Sequence, residues 1–208
     1  MKLKIGLFFG ALFLQAGLAG ATTVTLNFQG LNPANANALF VASPLQTQGF
    51  TVTSTLGFDT YGTHNTNFFA GAPALAAIAP SSISVAATDG HPFSVLSIDL
   101  ARNFAFDPAP TVDFTGILPG GVRVVESFTV TTPTGTAAFQ TFHFTGFTNL
   151  LSLDWSQPAA GALHQFTDIT LSTGPPSTVP EPVSGLLCGI GVLSFGLMRR
   201  RTQKQQLR

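Results

Sequence analysis

Between Thr22 and Leu171 apolar residues recur at every second position, in short runs cut by turn residues. The stretch TTVTLNF sets the pattern, with Val24, Leu26 and Phe28 on one side of an extended chain. Successive side chains of a strand point to opposite faces, so this period predicts half-buried β-strands and leaves little of the chain to helices. The pattern returns at Phe50 and Val52, at Ile83 and Val85, at Leu96, Ile98 and Leu100, and at Val112 and Phe114. It continues through Val122, Val124, Phe128 and Val130, through Phe142 and Phe144 with Phe139 on the other face, through Leu151, Leu153 and Trp155, and ends at Ile169 and Leu171. Asp89-Gly90, Asp107-Pro108, Pro119-Gly120-Gly121 and Pro133-Thr134-Gly135 supply turns between them. Thr, Val and Phe dominate the runs, and all three suit a pleated surface. The pattern predicts an all-β body over residues 22–173, a two-sheet β-sandwich of jelly-roll type, with an immunoglobulin-like sandwich as the alternative. Only APALAAIAP, residues 72–80, offers helical spacing, for about two turns between prolines.

Such a body must hold itself together through its core. The one cysteine, Cys188, lies near the C-terminus, so the body has no disulfide and no thiolate metal site. Twenty phenylalanines make a large aromatic core credible. The zero net charge hides a segregation. Seven of nine basic residues sit at the two ends, and the body keeps only Arg102 and Arg123. Against them stand Asp59, Asp89, Asp99, Asp107, Asp113, Glu126, Asp154 and Asp168, a balance of −6. Nucleic-acid binding needs several cationic phosphate contacts, and this body cannot supply them.

Few residues of the body are arranged for chemistry. His64, His91, His143 and His164 show no metal-ligand spacing, and no metal or cofactor is expected. There is no phosphate-binding glycine loop and no G-x-S-x-G elbow. His143 reads as a solvent-facing strand position and His164 as a strand start. Glu126, the only glutamate of the body, lies mid-strand in phase with Val124 and Phe128. A glycosidase needs two facing carboxylates, and the sequence pairs none. The chain is read as no enzyme, with a secreted hydrolase as a remote alternative. Sugar binding has better candidates. Tyr61 and His64 lie in FDTYGTHNTNFF, a polar and aromatic loop, and Trp155 beside Asp154 offers a ring for a pyranose, although its phase with Leu151 and Leu153 also suits the core.

The two ends read as addresses. Residues 1–21 carry Lys2 and Lys4, an apolar run from Ile5 to Leu14, and small residues at Ala19 and Ala21, the pattern of a secretory signal peptide cut after Ala21 by signal peptidase. At the other end, residues 174–182 form a Pro/Ser/Thr linker, and residues 183–198 are uncharged and apolar. Sixteen helical residues span about 24 Å, so this is a short transmembrane helix. Residues 199–208 carry Arg199, Arg200 and Arg201, which places the tail in the cytoplasm and the body outside.

The order of Pro180, Glu181 and Pro182, a short glycine-rich apolar segment and the cluster Arg199 to Arg201 resembles the PEP-CTERM sorting signal of Gram-negative bacteria. The resemblance covers residues 179–201. It implies a precursor held in the inner membrane and processed by an exosortase, a membrane-embedded cysteine transpeptidase. It further implies delivery to the cell surface or extracellular matrix, in connection with exopolysaccharide and biofilm. The prolines keep the cut site extended and out of the helix. The body itself resembles galactose-binding-like jelly rolls in its opening VTLNFQGL, its central PFSVLSIDLA and its closing HQFTDITL. That likeness implies a structural calcium site, for which this chain offers Asp168 but has Gln29 in place of a second carboxylate. An extracellular polysaccharide is the partner that these features together suggest.

Overall fold

The computed structural model describes residues 21–31, 37–132 and 138–174. Thirteen strands follow in chain order: β1 (Thr22–Leu26), β2 (Ala38–Val41), β3 (Leu45–Thr47), β4 (Phe50–Ser54), β5 (Phe58–Tyr61), β6 (Ala76–Ala77), β7 (Ser81–Ala87), β8 (Phe93–Arg102), β9 (Thr111–Ile117), β10 (Arg123–Thr129), β11 (Gln140–His143), β12 (Ser152–Gln157) and β13 (His164–Thr173). All pairings are antiparallel. One sheet runs β1-β13-β8-β11, a second β10-β9-β12-β7-β4-β3, and a small third sheet β2-β5-β6 joins the first through the bridge of Leu75 to Phe166 on β13. From β7 onward the chain passes repeatedly between the two large sheets, the crossing pattern of a jelly-roll-type sandwich. The segment read as a signal peptide, with Ala19, the box Pro180, Glu181 and Pro182, the apolar segment and Arg199, Arg200 and Arg201 lie outside the described residues. Among the described residues no helix is long and apolar enough to cross a membrane.

The alternation that defines the strands also builds the core. Val52, Ile83, Val85, Val112, Phe114, Leu153 and Trp155 face inward from the six-stranded sheet, and Leu26, Val95, Ile98, Leu100, Ile169 and Leu171 face them from the other. Rings run through this interior in series. Phe28 and Phe58 meet Phe166, Phe166 meets Trp155, and Trp155 meets Phe114. Phe114 then leads to Phe128 and Phe144, and these to Phe142 and Phe147. Gly116 on β9 leaves room for Val124 of the neighbouring β10 and for Leu150 ahead of β12, since a Cβ at that position would lie 2.8 Å from Val124 Cγ2 and 2.9 Å from Leu150 Cδ2.

Side chains close the seam where the edge strands β10 and β11 meet. Glu126 Oε2 accepts the Thr145 backbone N–H at 2.9 Å, and Gln140 Oε1 accepts that of Thr131 at 2.7 Å. Phe128 stacks on Phe142 above the seam, with centroids 5.0 Å apart. Glu126 is therefore tied to a neighbouring backbone rather than aimed at a cleft.

Four expectations are corrected. Residues 72–80 form no helix: Ala76 and Ala77 are a strand, and Leu75 bridges Phe166, because backbone pairing offered by β5 and β13 outweighs two turns of alanine-rich helix. Leu96 does not share a face with Ile98 and Leu100. The register of β8 and β13 slips by one residue between Thr167 and Thr170 and back again between Thr170 and Leu171. Leu96 is the extra residue of the second slip, and it is 43 % exposed while Val95 and Ile98 are buried. Asp168 is part of the first slip, with φ at 44°. Val122 and Leu151 were expected inside, yet both precede their strands, where the pleat has not begun to direct them, and both are exposed. Trp155 is no surface ring, as described below. The strands β2, β3, β5 and β6 are additions to the expected set, three of them forming the third sheet.

Candidate functional site

The loop that holds Tyr61 and His64 begins at the end of β5. Gly62 and Asn65 carbonyls accept the turn hydrogen bonds from Asn65, Phe68 and Phe69. Three further bonds pin the loop against the end of β8 and the segment after it. Gln165 Nε2, on β13, donates to the Phe68 carbonyl at 2.7 Å and to the Arg102 carbonyl at 2.9 Å, and the Ala105 N–H reaches the Asn67 carbonyl at 2.8 Å. Beneath them lies Arg102, only 6 % exposed, whose guanidinium donates to the Asp107 and Thr132 carbonyls. Its charge is thus spread over backbone oxygens rather than an ion pair.

This scaffold assembles four rings from two separate stretches of chain, the loop after β5 and the segment after β8. Tyr61 lies 4.9 Å from Phe68, Phe68 lies 5.0 Å from Phe104, and Phe104 lies 5.3 Å from Phe106, each pair tilted. The ladder opens outward along its length. Tyr61, Phe68 and Phe104 are half-buried, and Phe106 is 59 % exposed. The Asn103 side chain hydrogen-bonds the Tyr61 hydroxyl, and burial pushes the phenol upward from its ordinary value despite that bond. Burial also raises Asp59, and it raises Asp107 against the opposing pull of Arg102. Apolar ring faces with polar groups at their margins are what a pyranose requires, since its C–H face is apolar and its edge carries hydroxyls.

Of the residues singled out in the sequence, Tyr61 joins this ladder and His64 stands exposed in the adjoining turn. Trp155 does not belong to any surface. It is 4 % exposed and packs at 5.0 Å against Phe166 and 5.3 Å against Phe114, so no sugar can reach its faces. Its phase on β12, shared with Leu153, decided this. Phe68, Phe104 and Phe106 carry most of the ladder and were not selected from sequence. The signal was there: Phe104 and Phe106 follow a strand in a turn, where an aromatic pair has no core to enter.

A second surface brings carboxylates together. The outward residues of β4, β7, β9 and β12 line an open trough of about 620 Å³ that includes Thr53, Ser82, Ser84, Thr115, Asp113 and Asp154. Ser84 and Ser152 hydroxyls donate to Asp154 at 2.5 and 3.0 Å, and Ser127 donates to Asp113 at 2.5 Å. A glycosidic acid needs an apolar surround to hold its proton, and both carboxylates here lie among hydroxyls. Among the described residues no three His, Cys, Asp or Glu are grouped as metal ligands. Gln29 is exposed in the turn after β1, and Asp168 is raised by burial and by the neighbouring Asp99 carboxylate.

Fold and surfaces thus define the class of protein: a jelly-roll-type β-sandwich with a ring platform at one end. No family model and no curated protein matches the chain. Among solved structures it is similar to carbohydrate-binding modules of family 29. A mutant of one such module is 14 % identical, with a TM-score of 0.40, over 78 % of this chain and 99 % of that one. A second structure of the same family is 12 % identical, with a TM-score of 0.39, over 79 % of this chain and 97 % of that one. A form of the module CBM29-2 is 13 % identical, with a TM-score of 0.39, over 78 % of this chain and 99 % of that one. These likenesses are distant.

Proposed function

We propose that this chain is an exported, non-catalytic surface or matrix protein whose body binds extracellular polysaccharide at the Tyr61–Phe68–Phe104–Phe106 ladder. The observation that carries the reading is the ladder's position. β8 and β13 run antiparallel through ten residues each, about 30 Å. The ladder is fastened to one end of this pair, beside Arg102 and Gln165. The chain enters and leaves at the other end, where Thr22 pairs with Thr173 and Thr173 with Phe93. A body tethered through residues 174–208 would present its ladder away from the membrane, towards whatever lies outside. The export and sorting part of the proposal rests on the sequence: the signal peptide, the box at Pro180 to Pro182 and the cluster Arg199 to Arg201.

The binding claim is tested with the full-length chain on immobilised neutral and acidic polysaccharides. Tyr61→Ala combined with Phe106→Ala is expected to weaken retention by at least about tenfold, the loss of about 1.4 kcal/mol that one stacked ring provides. A wild-type chain that no polysaccharide retains, or a double variant retained equally, would defeat it. For sorting, Glu181→Ala is expected to leave unprocessed precursor in the membrane fraction. Unchanged processing and location would remove the exosortase from the account.

A further inference from the structure

The outward face of the third sheet adds a fifth ring and a carboxylate to the head of the ladder. Phe58 and Thr60 of β5 are fully buried, so Asp59 and Tyr61, which alternate with them, face outward. Phe40 on β2 is the register partner of Asp59 and shares that face. It is 59 % exposed, and its ring rests on Gly57, where a Cβ would lie 2.7 Å from Phe40 Cε2. Asp59 thus has one ring directly across the strand pair and another two positions along its own strand, about 7 Å away. Its half-buried carboxylate has no hydrogen-bond or ion-pair partner among the described residues, and burial raises it with no cation opposing. Asp107, at the far end of the ladder, differs: Arg102 pulls it down and donates to its backbone carbonyl. Arg102 itself is buried, and Arg123 opens β10 in the six-stranded sheet. A carboxylate partly withdrawn from water beside two rings, with no cation of its own, suits an ammonium group, which gains a counter-charge and ring quadrupoles together.

We propose that Asp59, with Phe40 and Tyr61, binds the ammonium group of an amino sugar within the polysaccharide that the ladder holds, so that the preferred ligand carries free amines rather than N-acetyl groups or uronates. This preference rests on the ladder reading and adds the ligand class to it. The ammonium donates to the Asp59 carboxylate, while the C–H faces of neighbouring sugars lie on Phe68, Phe104 and Phe106. N-acetylation removes the positive charge and leaves the carboxylate without a counter-charge. A uronate brings a second negative charge against Asp59 and against a body whose balance is −6. The same balance draws a cationic polymer towards the surface, and the rings decide where it stops.

The test is calorimetric titration of the full-length chain, just below neutral pH, with a glucosamine hexamer, its fully N-acetylated counterpart and a galacturonate hexamer. The glucosamine hexamer is expected to bind at least about tenfold more tightly than the N-acetylated one, and the galacturonate hexamer not to bind. Asp59→Asn and, separately, Phe40→Leu, which keeps the apolar bulk but removes the ring, are each expected to cut that preference at least about threefold. Asp113→Asn makes the same change in net charge on the six-stranded sheet and is expected to leave the preference unchanged. Equal binding of the glucosamine and N-acetylated hexamers, a preference that survives Asp59→Asn, or one that Asp113→Asn reduces as much, would each overturn the inference. Phe106→Ala tells its failure from that of the ladder. If that variant weakens both hexamers while the wild type binds them alike, the amine preference alone is lost. If it weakens neither, the ladder reading falls and the preference with it.

Discussion

Phe166→Ala is expected to lower the stability of the body by about 3–5 kcal/mol, the range for removing a fully buried phenylalanine. Phe166 is the ring on which the interior converges. It meets Phe28 at 5.9 Å, Phe58 at 6.1 Å and Trp155 at 5.0 Å, all near edge-to-face. Its backbone also pairs in both directions with Leu75, so it joins the third sheet's neighbourhood to the sandwich. Truncation leaves a cavity bordered by three rings that cannot all collapse into it. In a body of this size the loss corresponds to a fall of roughly 10 °C in Tm. Phe106→Ala is the matched control: the same atoms are removed from a ring 59 % exposed, and the change should stay within about 0.5 kcal/mol. Urea denaturation of the three proteins measures both. Equal effects at the two sites would mean that Phe166 does not organise the core.

Acidification is expected to destabilise the protein through His164. This residue opens β13, is 2 % exposed, and has no partner for Nε2 among the described residues. Its backbone is held on both sides by the Gln157 amide, and its register partner is the buried cation Arg102. Burial pushes the imidazole down from 6.5 to about 3. The folded state therefore excludes a proton that the unfolded chain accepts below about pH 6.5. The contribution is fully present above that value and is lost as pH falls towards 3, with a slope approaching about 1.4 kcal/mol per pH unit. Asp59, Asp107 and Asp168 act in the opposite sense, because burial raises them and the folded state takes their protons first. His164→Leu keeps all three carboxylates, so the difference between it and the wild type from pH 6.5 to 5 isolates the histidine. Across that interval the wild type should lose about 2 kcal/mol, and His164→Leu should lose little of that. A wild-type midpoint that does not move between pH 7 and 5 would refute the assignment.

Much of the sandwich could be read in the sequence because strand alternation is a local property. A residue such as Val52 or Leu153 declares its face through its neighbours two positions away. Errors arose where the pleat is interrupted. Leu96 fits the alternation by eye, but the paired slips of β8 and β13 are a joint property of two strands far apart in sequence. The third sheet escaped notice because its strands are short, and Leu39 and Phe40 on β2 are both exposed, so no face declares itself. Residues 72–80 looked helical because alanine favours helices, and only the presence of β5 and Phe166 alongside made extended pairing the better choice.

The candidate sites divide along the same line. Sequence by itself determined the all-β class, the cysteine-free aromatic core and the acidic body, since each follows from residue type or period along the chain. It also marked Tyr61, through the composition of its loop. Tertiary structure alone decided that Tyr61 stands in line with Phe68, Phe104 and Phe106, that Trp155 is sealed in the core, and that Phe40 stands across from Asp59. The reason is that a binding surface is made where loops from distant strands meet. Which loops meet depends on strand order and on antiparallel register, and these arise from the pairing of the whole chain rather than from any single stretch.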